Sequence, residues 1–181
     1  MNSTNKHEFD APEPTYLRKP SVHSIAENVA AQLKFEPGGD IQSLVEGMGG
    51  KIKIKDFWSE GDKEGGSLEV YEEDNFRIYI PSDTSPTRDN FTIAHELGHY
   101  VLHYLWQIQV KKKKPFKLRA TRYGSDRAEW EANWFASAFL MPQKEFSRQA
   151  KTTNLAELAQ MFSVSRQAAS IRAKSLGIDV D

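Results

Sequence analysis

Apolar residues recur at helical spacing from Phe91 to Trp106 and again from Asp126 to Leu140, two stretches that predict amphipathic helices. At 100° per residue the first separates into two arcs. Phe91, Ala94, Gly98, Val101, Leu102 and Leu105 form a core face, and Thr92, His95, Glu96, His99 and His103 form a chemical one. In the second, Ala128, Ala132, Phe135, Ala136, Phe139 and Leu140 make a broad apolar arc with Glu129 and Asn133 at its edge. Glu131 lies about 200° from Glu129 and points elsewhere. Met141-Pro142 ends this helix, because the residue before proline disfavours the α region. Gly98 inside a helix costs about 1 kcal/mol relative to alanine and predicts close approach by a neighbouring backbone.

The remaining elements follow from shorter patterns. Ser24 is the expected cap of a helix from Ile25 to Phe35, closed by Pro37-Gly38-Gly39, and Asp40 of one from Ile41 to Met48, closed by Gly49-Gly50. Lys51 to Lys55 alternates with period two and reads as a strand. After an acidic, glycine-rich loop, Ser67 to Tyr71 and Phe76 to Ile80 flank Glu72-Glu73-Asp74-Asn75 as a hairpin. Near the C-terminus, Leu155 to Phe162 and Arg166 to Ser175 outline a helix-turn-helix in which Ser165 caps the second helix. Arg166, Gln167, Ser170 and Arg172 are its candidate groove-facing residues if it reads DNA, the alternative being a packing or partner-binding module. Residues 1–23, polar and carrying Pro12, Pro14 and Pro20, are expected to form a flexible arm. Residues 24–148 then make the main domain and 149–181 a helical subdomain.

Composition narrows the chemistry. A chain of 181 residues is one ordinary domain with a real core. No apolar run reaches transmembrane length, and the start MNSTNKHEFD lacks a basic region followed by an apolar one, so a cytoplasmic protein without membrane contact is expected. With no cysteine, disulfides and thiolate metal ligands are excluded, which leaves histidine and carboxylate. The net charge of −1 gives no global attraction to nucleic acid. A local exception is the run Lys111 to Lys114 with Lys117, Arg119 and Arg122, which joins the two principal helices. It is either solvated loop or the border of a cleft that holds an acidic substrate surface or a nucleic-acid-bound substrate.

His95-Glu96-Leu97-Gly98-His99 carries the sharpest chemistry. Residues four apart share a helix face, so both imidazoles can close on one metal ion while Glu96 reaches a water on that ion. His103 is not a ligand, since positions i, i+4 and i+8 span about 12 Å of helix rise against metal bonds of about 2 Å. It belongs in a supporting role. The metzincin pattern would want glycine at 102 and histidine at 105, where this chain has Leu102 and Leu105. Glu129 is the expected acidic ligand because a carboxylate beside a core face needs a partner; Glu131 is the alternative. Asn133, one turn beyond Glu129, is placed to orient a ligand. His103 and Tyr123 are candidate oxyanion donors, and Phe76 to Ile80 is the candidate strand for docking an extended substrate.

The segments RDNFTIAHELGHYVLH (88–103), EWEANWFASAFLMP (129–142) and LAQMFSVSRQAASIRAKSLGI resemble the ImmA/IrrE-type metallopeptidases. That resemblance implies a zincin-like α+β fold of the gluzincin type, with a small, mostly antiparallel sheet packed on the HExxH helix and a helical tail. It also implies zinc (Zn2+) held by His95, His99 and Glu129, with Glu96 as general base. Manganese or iron would suit the same donors. The implied reaction is endoproteolysis of a protein substrate, a helix-turn-helix repressor of phage or stress control. The competing readings are a DNA-binding regulator and a toxin–antitoxin component acting through partner binding.

Overall fold

Alternating burial explains the sheet. In the computed structural model, which describes residues 9–56, 66–121 and 126–180, strands β1 (Gly50–Lys55), β2 (Gly66–Glu72), β3 (Asn75–Pro81) and β4 (Leu118–Thr121) lie in the order β1-β3-β2-β4. The β2–β3 and β2–β4 pairs are antiparallel and β1 runs parallel to β3. Leu68 pairs with Ile78 and Ala120, and Val70 with Phe76 and Leu118, so one face collects apolar side chains and buries them completely. The opposite face is polar and converges on Glu69, which accepts from Tyr71 Oη (2.8 Å) and Tyr79 Oη (3.0 Å) and pairs with Arg119 (2.9 Å).

The hairpin stands where its pattern put it, but its partners change one expectation. β3 is bonded to β1 on one side and β2 on the other, so Phe76 to Ile80 is an interior strand and has no free edge for a substrate. Strand β4 was hidden in the basic run. Leu118 and Ala120 are its buried positions, and their period-two spacing between Lys117, Arg119 and Thr121 is the signal that charge obscured.

The helices are α1 (Lys19–Gln32), α2 (Ile41–Gly47), α3 (Pro86–His99), α4 (Trp106–Gln109), α5 (Arg127–Leu140), α6 (Gln143–Gln149), α7 (Leu155–Met161) and α8 (Arg166–Ser175). Asp40 caps α2 through the amides of Gln42 and Ser43, as expected. Helix α1, however, begins five residues before Ser24. Pro20 sits in its first turn, and the Ser24 hydroxyl donates to the Pro20 carbonyl inside the helix instead of capping it. The short helix α6 had no strong apolar signature and follows Pro142 directly.

Residues 9–18, expected within a flexible arm, run in bonded contact with the body. Asp10 donates its amide to Lys117 O (2.8 Å) and accepts from Arg119 N (2.9 Å), extending the sheet beyond β4. Lys113 pairs with Asp10 (3.2 Å) and Glu13 (3.3 Å), so part of the basic run is neutralised within the chain. Residues 1–8 of that arm, the centre of the acidic glycine-rich loop (57–65) and the segment 122–125 lie outside the described residues.

The tail is held by a buried cation. Arg172 has no exposed surface and donates to the carbonyl of Met141 (2.9 Å), pairs with Glu27 (3.2 Å) and lies 3.2 Å from His23 Nδ1. It therefore cannot face a DNA groove, whereas Arg166 and Gln167 of the same helix are exposed. Leu158, Phe162, Val164, Ala169 and Ala173 join the same hydrophobic cluster as α3 and α5. Asn90 Nδ2 donates to Ser163 O (3.1 Å), tying the turn between α7 and α8 to the start of α3.

Candidate metal centre

Two helix starts are fixed by the sequence before any site forms. Ser85 accepts from the amide of Arg88 with Pro86 at the first helical position of α3, and Asp126 accepts from the amides of Ala128 (3.0 Å) and Glu129 (3.3 Å) to begin α5. The helices then pack at very short range. A Cβ on Gly98 would stand 3.1 Å from Ala132 Cα, Ala132 O and Phe135 Cβ, which is the backbone approach that a glycine at this position predicted.

That approach brings three donors together. His95 Nε2 lies 3.2 Å from His99 Nε2 and 3.2 Å from Glu129 Oε2, and His99 Nε2 lies 3.0 Å from Glu129 Oε1. Among the described residues, His95, His99 and Glu129 thus form a group whose ligand atoms can hold a metal ion. Bonds of about 2.0 Å to a tetrahedral ion require ligand atoms about 3.3 Å apart, so the spacing fits. The chemistry of the set, two imidazoles and one carboxylate with an open side, fits zinc as well. Glu131 is not part of this group.

The outer nitrogens of the imidazoles are also engaged. His95 Nδ1 lies 3.0 Å from Asn133 Oδ1 and donates to it, which leaves Nε2 facing His99 and Glu129, where its lone pair would be given to an ion. His99 Nδ1 lies 2.9 Å from His103 Nδ1. The chain does not continue as one α-helix past His99. Tyr100–Leu105 is a π-turn, whose wider i to i+5 bonding was invisible to a plot at 100° per residue. His103 lies in this turn with no exposed surface, and its Nε2 is 3.1 Å from Glu131 Oε2. It faces the interior on both nitrogens and cannot serve as an oxyanion donor; the other candidate, Tyr123, lies outside the described residues.

Electrostatics follow from burial and these contacts. Burial alone would raise the Glu129 carboxyl, but hydrogen bonds from His95 and His99 outweigh it and hold it at about 2. Burial depresses His99 to about 4, against the pull of Glu129. For His95 burial is outweighed by the hydrogen bond to Glu129 and by the charges of Glu96 and Glu129, so its net displacement is upward. Glu96 itself is only 3 % exposed, one position along the helix from His95. A buried carboxylate beside two imidazoles suits a proton carrier.

Residues 50–174 match the IrrE N-terminal-like domain family, Peptidase_M78. The chain belongs to this family. Within and around it, the chain is 35 % identical over 94 residues to the radiation response metalloprotease IrrE of Deinococcus deserti, covering 51 % of this chain and 30 % of that protein. It is 31 % identical over 103 residues to an uncharacterized immunity region protein 2 of Bacillus phage phi105, covering 56 % of this chain and 61 % of the phage protein. The chain therefore spans less than two thirds of the length of either relative. A solved Mycobacterium tuberculosis transcriptional regulator shares the fold with a TM-score of 0.59 at 21 % identity, over 85 % of this chain and 47 % of that one. No described helix is long and apolar enough to cross a membrane.

Proposed function

We propose that this IrrE-like domain is a zinc-dependent endopeptidase, with His95, His99 and Glu129 as metal ligands and Glu96 as general base. The observation that carries the reading is the convergence of two Nε2 atoms and one carboxylate within 3.2 Å of one another, beside a buried glutamate. When bound there, zinc supplies a Lewis acid for the scissile carbonyl and brings the pKa of its water toward about 7. Glu96 takes a proton from the attacking water and passes it to the leaving amine nitrogen. Asn133 holds the His95 ring so that Nε2 keeps its lone pair.

The fold is accordingly zincin-like, and the substrate is a protein. We assign that substrate to the helix-turn-helix repressors, because the resemblance of residues 88–103 and 129–142 implies it and a phage immunity-region relative agrees with it. The setting is then the cytoplasm, where such repressors act. Zinc content and cleavage of a co-encoded repressor, compared between wild type and Glu96→Gln, test the scheme. Retained zinc with cleavage reduced by roughly 100- to 10,000-fold is expected. Undiminished proteolysis by the variant overturns it, and stoichiometric manganese or iron in place of zinc would reassign the metal.

A further inference from the structure

Behind the metal centre lies a second set of bonds that the hydrolytic scheme does not use. Glu131 has no exposed surface, yet its carboxylate accepts from Thr15 N (2.9 Å), Thr15 Oγ1 (2.8 Å), Tyr16 N (2.9 Å), Arg127 Nε (3.1 Å) and His103 Nε2 (3.1 Å). A carboxylate so surrounded is an acceptor only, so His103 donates to it from Nε2. A neutral His103 then has one bare nitrogen, Nδ1, and it faces His99 Nδ1 at 2.9 Å. Two facing nitrogens need one proton between them, and an imidazole that gives its Nε2 lone pair to a metal carries its proton on Nδ1.

We propose that His103 and Glu131 are positioning residues for the metal centre, forming a buried line from carboxylate to histidine to His99, and that Thr15 and Tyr16 of the N-terminal arm complete it. The proposal rests on reading His95, His99 and Glu129 as the metal site. Each part is independently constrained. The π-turn carries His103 between His99 and Glu131, and the arm reaches Glu131 from 116 residues away in sequence. Tyr16 holds a left-handed backbone (φ 58°) with its side chain 75 % exposed, so what secures it is the amide bond to Glu131 rather than burial of the ring. His95 is oriented by a single amide, Asn133, near solvent; His99 is oriented by a line of ionisable groups closed off from solvent. Such a carboxylate-backed histidine is a more basic and better fixed ligand than an unsupported one.

The test is a zinc-indicator competition on the full chain with wild type, His103→Gln, Glu131→Gln and Thr15→Val, each checked for folding by circular dichroism. His103→Gln is expected to weaken zinc binding roughly 10- to 100-fold, Glu131→Gln comparably, and Thr15→Val less but in the same direction. Imidazole nitrogen NMR of the zinc-loaded wild type should show His99 protonated at Nδ1 and His103 at Nε2. In His103→Gln the His99 resonances should move while those of His95 stay. Should Glu131→Gln fail to fold, His103→Gln and Thr15→Val decide the matter. Folded His103→Gln with wild-type zinc affinity overturns this proposal and leaves the metal-site reading standing. A wild type that binds no metal overturns both.

Discussion

Helices α3 and α5 and the π-turn carry two histidine–glutamate clusters with the same chemistry and opposite surroundings. In one, His95 and His99 face Glu129, whose side chain keeps 16 % of its surface exposed. In the other, His103 faces Glu131 and neither side chain is exposed at all. Glu131 is satisfied by backbone amides, a hydroxyl, a guanidinium and an imidazole, whereas Glu129 is bonded by the imidazoles of His95 and His99. A buried charge without enough donors is costly, and one with a full set is fixed in place. The difference teaches that position along α5 separates roles: two residues of helix turn one glutamate toward a site that has room for an ion and the other into a closed network.

Truncating each glutamate in turn breaks the comparison most severely. Glu131→Ala strands buried amides and a buried imidazole, and the metal-free protein should lose about 3 kcal/mol or more in a urea melt. Glu129→Ala should abolish zinc binding and cost less metal-free stability than Glu131→Ala, since the Glu129 side chain keeps part of its surface in solvent and is bonded by imidazoles rather than by buried amides. Equal metal-free stabilities for the two variants would show that the clusters are not distinct in kind.

A second prediction acts on both clusters together through the spacing they share. Gly98→Ala adds a methyl 3.1 Å from the backbone of Ala132, so α5 must give way. Overpacking costs about 1–3 kcal/mol, and the gain of about 1 kcal/mol in helix propensity offsets only part of it. The expected net result is a loss of about 1 kcal/mol by thermal melting, accompanied by weaker zinc binding. A stabilised variant would mean that the helices are not in contact at this point.

How much of this was legible in the chain depends on the range of each interaction. The four-residue spacing of His95 and His99, the apolar arc of α5 and the cap at Asp40 are local, and periodicity reads them directly. Glu129 follows from its place at the edge of the apolar arc of α5, and the family resemblance points to the same residue. The bond from Thr15 to Glu131 crosses 116 residues, and nothing in a polar, proline-bearing stretch announces that it docks. Arg172 stands among the candidate groove-facing residues because helical position alone does not reveal the Met141 carbonyl and Glu27 that receive it. The π-turn broke the angular plot where it mattered most, at His103.

Acid acts on both glutamates with the same sign, since Glu129 and Glu131 are each held at about 2. Burial would raise Glu131, but the bonds from His103, Thr15 and Arg127 hold it at about 2, below the ordinary value of 4.5. Between those values the unfolded chain binds a proton that the native one does not, so the contribution of Glu131 is complete above about pH 4.5 and is lost as pH falls toward 2. In Glu131→Gln this lower acid limb of the metal-free protein should become shallower, the remainder belonging to Glu129, and an unchanged limb would locate the acid sensitivity outside the closed cluster.

The smallest effect comes from a fourth histidine, which sharpens the comparison because it faces cations. Burial lowers His23 from 6.5 to about 4, assisted by Arg172 and Lys19, whereas His95, facing carboxylates, is displaced upward. A depressed base is neutral in the native state over a range where the unfolded chain is protonated, so stability rises with pH there. The metal-free protein should therefore begin to lose stability as pH drops below about 6.5, continuing to about 4, before the limb assigned to Glu131 is complete. His23→Gln should make this upper limb shallower in urea melts taken from pH 7 to 4, the remainder belonging to His99, and leave the lower one in place. If the variant keeps the same slope, the packing of Arg172 against α1 does not suppress protonation of His23, and the anchor of the tail tolerates a second charge beside it.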